Sequence, residues 1–172
     1  MTIVANALLF QAGWFAAVLG AAGDLPWIGV LAVAVVAAVH LARAARPLPE
    51  LALLGLAVAA GAAFETLLVQ SGWLRFEGGM IAAGTAPLWM VALWANFATT
   101  LNVSMRLLRS RLLLAALFGA IGAPLAYYAG ARLGAVDLVA TLPALLAIGA
   151  GWLVLCPLLF AAARRLDGYA PR

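Results

Sequence analysis

Charged residues in this chain are few, and they fall almost wholly between long apolar runs. They make up 9% of the 172 residues against 67% hydrophobic, and no stretch between the runs is long enough to fold as a water-soluble domain. So much apolar surface is stable only where a bilayer covers it, because a spanning helix takes about 20 apolar residues to cross a hydrocarbon core roughly 30 Å thick. A chain of this length holds one domain and about six such helices with short connections. The predicted fold is an all-α, polytopic membrane helix bundle, a single transmembrane domain over residues 1–172.

The apolar runs predict spans over about residues 3–22, 26–42, 50–71, 87–107, 112–131 and 137–163. Pro26 and Pro49 suit first-turn positions, where a missing N–H costs nothing. The segment 73–86, with Gly78, Gly79 and Gly84, reads as a loop that either stays outside the membrane or partly re-enters it. The tail 166–172 is too short to fold alone. No Arg or Lys precedes the first run, so it lacks the positive start of a cleaved signal peptide and is expected to remain as a span.

The ten basic residues are all arginines, and they alternate by connection. Arg43, Arg46, Arg106, Arg109, Arg111, Arg164, Arg165 and Arg172 fall on one side, eight against the two of Arg75 and Arg132 on the other. The positive-inside rule then predicts six spans with both termini in the cytoplasm. Trp27, Trp73 and Trp89 fall near the opposite face, as an interfacial aromatic belt requires. Gly13-Trp14 and Gly151-Trp152 echo each other, but their flanks do not align, so no inverted repeat of the transporter kind is found.

Three stretches carry a family resemblance: Leu9-Phe10-Gln11-Ala12-Gly13-Trp14-Phe15, then Ala86-Pro87-Leu88-Trp89-Met90 running on to residues 97–102, then Gly119-Ala120-Ile121-Gly122-Ala123-Pro124 running on to Gly130. The chain resembles, over essentially its full length, a family of small bacterial inner-membrane proteins known only as a domain of unknown function. The resemblance implies a polytopic bacterial membrane protein and brings no catalytic residues to carry over.

The strongest single candidate is Glu65, the best nominee for a catalytic or proton-carrying group. It lies about 15 residues, or roughly 22 Å of rise, into the third span, and an ionisable group at that depth suggests function by default. Gly61, Ala62, Val69 and Gly72 share its face, so another helix can approach closely there. Desolvation favours the neutral carboxyl, a hydrogen-bond donor or proton carrier. The plainer alternative is a protonated Glu bonded to a neighbouring helix. Trp89, Leu93, Asn96 and Thr100 share a face of the fourth span, where Asn96 serves either as helix–helix glue or as a ligand contact. Gly119, Ala123, Ala126 and Gly130 form a small-residue stripe on the fifth span, interrupted by Pro124, with Tyr127 and Tyr128 at the depth of Glu65. Gln11, Trp14 and Phe15 share a face of the first span, and Trp14, Trp94 and Trp152 lie too deep for an interfacial belt. They either line a pocket for an apolar or flat ligand or simply pack. Gln11, Trp14, Glu65, Trp89, Asn96 and Tyr127 are therefore the expected ligand-binding set, around a pocket opening toward the side with fewer arginines. His40, Asn102 and Ser104 lie near the arginine-rich interface, where hydration is the ordinary expectation.

With one His and one Cys, Cys156, a protein-built metal or haem site is not expected, and neither is any other cofactor. Cys156 reads as a small packed hydrophobe. No basic stripe offers phosphate contacts, so nucleic acid is not an expected partner; membrane lipids and a hydrophobic small molecule are, with a second copy or another membrane protein as further options. No P-loop, dinucleotide fingerprint or hydrolase elbow is present. Three functional classes stay open. One is a protein that binds or helps modify a lipid-like molecule in an intramembrane pocket, which the sequence favours. The others are a small proton-linked transporter using Glu65 and an accessory subunit of a membrane complex.

Overall fold

The computed structural model describes residues 1–169, so Arg172, counted above on the arginine-rich side, lies outside the described residues. Six α-helices follow one another: α1 Ile3–Ala22, α2 Pro26–Arg43, α3 Pro47–Gln70, α4 Leu88–Leu101, α5 Leu112–Arg132 and α6 Thr141–Arg165. All but α4 are long and apolar enough to cross a membrane. The protein is thus an all-α, multi-pass membrane bundle.

Local chemistry explains where the helices begin and end. The Thr2 hydroxyl caps α1 by accepting from Ala5 N at 3.2 Å. Pro26 sits in the first turn of α2 and Pro47 in that of α3. The third helix starts at Pro47 rather than near residue 50, because Pro47 and Pro49 both occupy the first turn, whose N–H groups have no helical acceptor anyway. The sixth starts at Thr141 rather than near 137, because Asp137 and Leu138 form a short strand (β2, Asp137–Leu138) antiparallel to β1 (Leu74–Arg75). This ladder pairs Leu74 with Leu138 and Arg75 with Asp137, and an exposed Arg75–Asp137 ion pair reinforces it.

The largest departure from the sequence-based spans is α4, which ends at Leu101 rather than near 107. Turns then lead into a 3-10 helix over Arg106–Ser110. The side chain of Asn6 on α1 explains the early end. Its Nδ2 donates to Thr99 O at 3.1 Å and its Oδ1 accepts from Ser104 N at 3.1 Å, drawing the chain off the helical path. At 14 residues α4 is about 21 Å long, well short of the hydrocarbon core. It is the central element, packed against α1, α2, α3 and α6, and it contributes the buried Trp89, Trp94, Phe97 and Leu101 to the core. Trp89 is therefore not a belt residue; its ring meets Phe76 edge-on at 5.6 Å inside the fold.

Close approaches are set by small residues. A Cβ on Gly13 would stand 2.7 Å from Asn96 Oδ1, and one on Gly119 would stand 2.7 Å from Trp152 O. Neither distance tolerates a side chain, so α1 meets α4 and α5 meets α6 at glycines. Cys156 is fully buried against Gly119.

Candidate functional site

Between α1 and α5 lies a partly open cleft of about 430 Å3, within the roughly 300–1,000 Å3 range of small-molecule pockets. Its floor is α4, through Trp89, Leu93, Trp94 and Phe97. One wall is α1, through Phe10, Gln11, Trp14 and Val18, spaced so that they share one helical face. The other wall is α5, where Gly119, Gly122, Ala123 and Ala126 leave the space that larger side chains would fill. Trp152 of α6 closes the back, stacked on Trp94 at 4.6 Å between ring centres. The cleft runs from Val136 at one end of the bundle to Met105 beside the arginine-rich end, so it does not belong to one half of the membrane.

Four of the six expected ligand-binding residues line this cleft: Gln11, Trp14, Trp89 and Tyr127. Glu65 and Asn96 do not. Asn96 is buried between α1 and α4, where its Nδ2 donates to Phe10 O at 2.9 Å, so it holds the floor to the wall. Glu65 is 0% exposed and stands behind the lining. Its Oε1 accepts from Trp94 Nε1 at 2.9 Å and from the Tyr127 hydroxyl. One carboxyl oxygen thereby ties α3 to α4 and to α5. Its Oε2 has no hydrogen-bond partner among the described residues. The span-three contribution expected for the pocket is absent among the described residues, and α6 supplies a wall through Trp152 instead.

A second polar cluster sits at the arginine-rich end, where hydration had been expected. His40 and Asn102 are each 1% exposed, and Glu50 is fully buried. Glu50 accepts from Asn102 Nδ2 at 2.8 Å and from Gly168 N at 2.7 Å, and it bonds His40 Nε2 at 2.8 Å. The Tyr169 hydroxyl donates to His40 O at 2.6 Å. Arg109 donates to Asn102 Oδ1 at 2.6 Å and to Asp167 Oδ2 at 2.7 Å, while Arg46 donates to Asp167 O at 2.6 Å. The segment after α6 is thus fastened across the α2–α3 corner. Burial alone would raise the Asp167 carboxyl; the hydrogen bond and charge of Arg109, the Tyr169 N–H and the charge of Arg106 outweigh it and hold it below its ordinary value. Burial, and then the nearby Glu50 charge, push the Tyr169 hydroxyl up to about 12. The sequence does carry a signal for the His40–Glu50 pair. Each lies about one turn from a tight corner between antiparallel helices, which places them face to face.

The cleft's chemistry is apolar and aromatic, with no charged side chain in its lining among the described residues. Such a surface holds a hydrocarbon chain or a flat ring by burial and stacking rather than by charge. Residues 3–158 match the family described as protein of unknown function (DUF2878), and the chain belongs to that family. No curated protein and no solved structure matches the chain.

Proposed function

We propose that this member of the DUF2878 family is a bacterial inner-membrane protein that binds a lipid-like or other hydrophobic small molecule in the cleft between α1 and α5. The observation that carries this reading is the cleft itself: a groove along a membrane bundle with aromatic walls on α1 and α4 and a glycine- and alanine-rich wall on α5. In a bundle meant only to pack, a small-residue stripe draws a neighbouring helix into contact. Here Gly119 does so against α6, yet a Cβ on Gly122 would meet nothing within 4 Å. The α5 wall, to which Gly122 belongs, therefore borders a space as well as an interface.

Proton-linked transport through Glu65 is the weaker reading, because the carboxyl is sealed behind Trp94 and Tyr127 and joins three helices. Modification of the bound molecule has less support than binding, since the one hydroxyl in the lining, that of Tyr127, is engaged by Glu65. The test is mass spectrometry of what co-purifies with the protein from bacterial membranes in a mild detergent. A defined amphiphile retained by the wild type and lost from Gly122→Leu is expected. Identical co-purifying lipid from both proteins would sink the proposal.

A further inference from the structure

A charged head group has no place inside the cleft, so the position of its ends decides what kind of molecule fits. No charged side chain lines it among the described residues, and an uncompensated charge buried there is prohibitive. A hydrocarbon chain suits the lining, and a charged head must stay at one end. The two ends differ. On α5 the lining runs from Phe118 to Gly130, about 18 Å of helix rise against a hydrocarbon core roughly 30 Å thick. It begins about 9 Å of rise past Leu112, the first residue of α5, and stops about 3 Å short of Arg132, the last. On α1 the lining likewise begins about 10 Å past Ile3 and stops about 6 Å short of Ala22. Both walls therefore set the cleft nearer the arginine-poor end.

Arg132 stands at that end. Ala129 lies one helical turn before it and Leu125 two turns before it; both line the cleft, on the same side of α5 as Arg132. Arg132 is exposed, and its long side chain spans the single turn that separates it from Ala129. It is also one of only two arginines on this side, where the positive-inside bias disfavours them. The other, Arg75, is paired with Asp137, whereas Arg132 joins no ion pair among the described residues. At the opposite end Arg106, next to the lining residue Met105, is turned onto Asp167. We infer that the cleft takes one hydrocarbon chain of an anionic amphiphile whose negatively charged head stays outside the apolar lining, on Arg132 at the arginine-poor end. This rests on the cleft being a ligand site, and it adds the charge of the head group and the direction in which the molecule lies.

The experiment uses the full chain in uncharged maltoside micelles at pH 7 and follows tryptophan fluorescence, to which the cleft residues Trp14, Trp89, Trp94 and Trp152 contribute. The probes are hexadecyl phosphate, hexadecanol and hexadecyltrimethylammonium, which share a chain and differ in the charge of the head. Hexadecyl phosphate is expected to bind about 3- to 10-fold tighter than hexadecanol, the effect of one arginine near a membrane surface, and the cation weakest of the three. Arg132→Gln should erase that advantage and leave hexadecanol affinity unchanged, while Arg132→Lys should keep most of it. An arginine that only complements the C-terminal dipole of α5 would leave the ratio of the two affinities the same in Arg132→Gln, and that outcome overturns the inference. Arg111→Gln, at the other end of α5, should keep the advantage; its loss there in place of Arg132 overturns the inference too, as does equal binding of phosphate and alcohol in the wild type. Inorganic phosphate alone should neither change the signal nor compete. Competition by it would mean a head-group site independent of the cleft, again against the inference. Loss of the cleft reading looks different: hexadecanol itself does not bind, or Gly122→Leu leaves every affinity intact. Should Gly122→Leu misfold, Gly122→Ala provides the smaller graded loss.

Discussion

At the residue scale, two buried acids do opposite work. Glu65 ties three helices through one oxygen, and Glu50 organises the segment after α6. Glu65→Gln keeps an acceptor oxygen for Trp94 and Tyr127 and is expected to fold with unchanged helicity. Glu65→Leu strands two buried donors at about 1–3 kcal/mol each and should melt clearly earlier in a circular-dichroism scan. Asp167 gives a pH prediction. Its folded-state value lies below its unfolded one, so its contribution to stability is complete above the ordinary carboxylate range. That contribution is lost as pH falls through the depressed value, and Asp167→Asn should remove this part of the acid sensitivity of the melting temperature. Glu65 stood out in the sequence because a lone acid deep in an apolar run has few innocent explanations. His40 and Asn102 did not, because their interfacial depth implies water, and the groups that replace it include Leu166 and Tyr169, remote in sequence.

At the element scale, the five long helices were legible from apolar length, and the start of α2 from a proline whose missing N–H costs nothing in a first turn; the start of α3 was read a few residues late and that of α6 a few residues early. The short α4 was not, because its end is decided by Asn6 on another helix rather than by any breaker in its own sequence. Likewise Trp89 and Leu93 of the cleft's floor could be read by helical spacing, but Asn96 and Thr100, read on the same face, are buried outside the lining and Trp94 and Phe97 complete the floor, while the wall contributed by α6 depends on tertiary placement of Trp152. A pair of glycines on α3 separates packing from propensity. A Cβ on Gly61 would run into the Trp94 ring, so Gly61→Ala is expected to cost about 1–3 kcal/mol in stability, as overpacking does. Gly55 has nothing within 4 Å, and Gly55→Ala should be neutral or stabilising by up to about 1 kcal/mol. Parallel thermal melts of the two variants check both signs.

At the scale of the whole molecule, the eight-to-two arginine split predicts that reporter fusions after Arg46, Gly79, Arg109 and Gly134 alternate in, out, in, out. A cytoplasmic signal at Gly79 would overturn that orientation. Both ends of α5 are tied. One is held through the strand ladder at Leu138, the other through Arg109 on Asn102 and Asp167. Between these fastenings the helix has Pro124 in its interior, which lacks one backbone donor, and flexible glycines on its cleft side. A beam clamped at both ends and softened at midspan bows; it does not swing. Spin labels at Ala12 and Leu125 should therefore broaden their distance distribution when a cleft ligand is removed, while labels at Ile3 and Leu113 hold theirs. On the ligand-binding role proposed above, the size of molecule the cleft admits is then set by how far one helix flexes between two fixed supports.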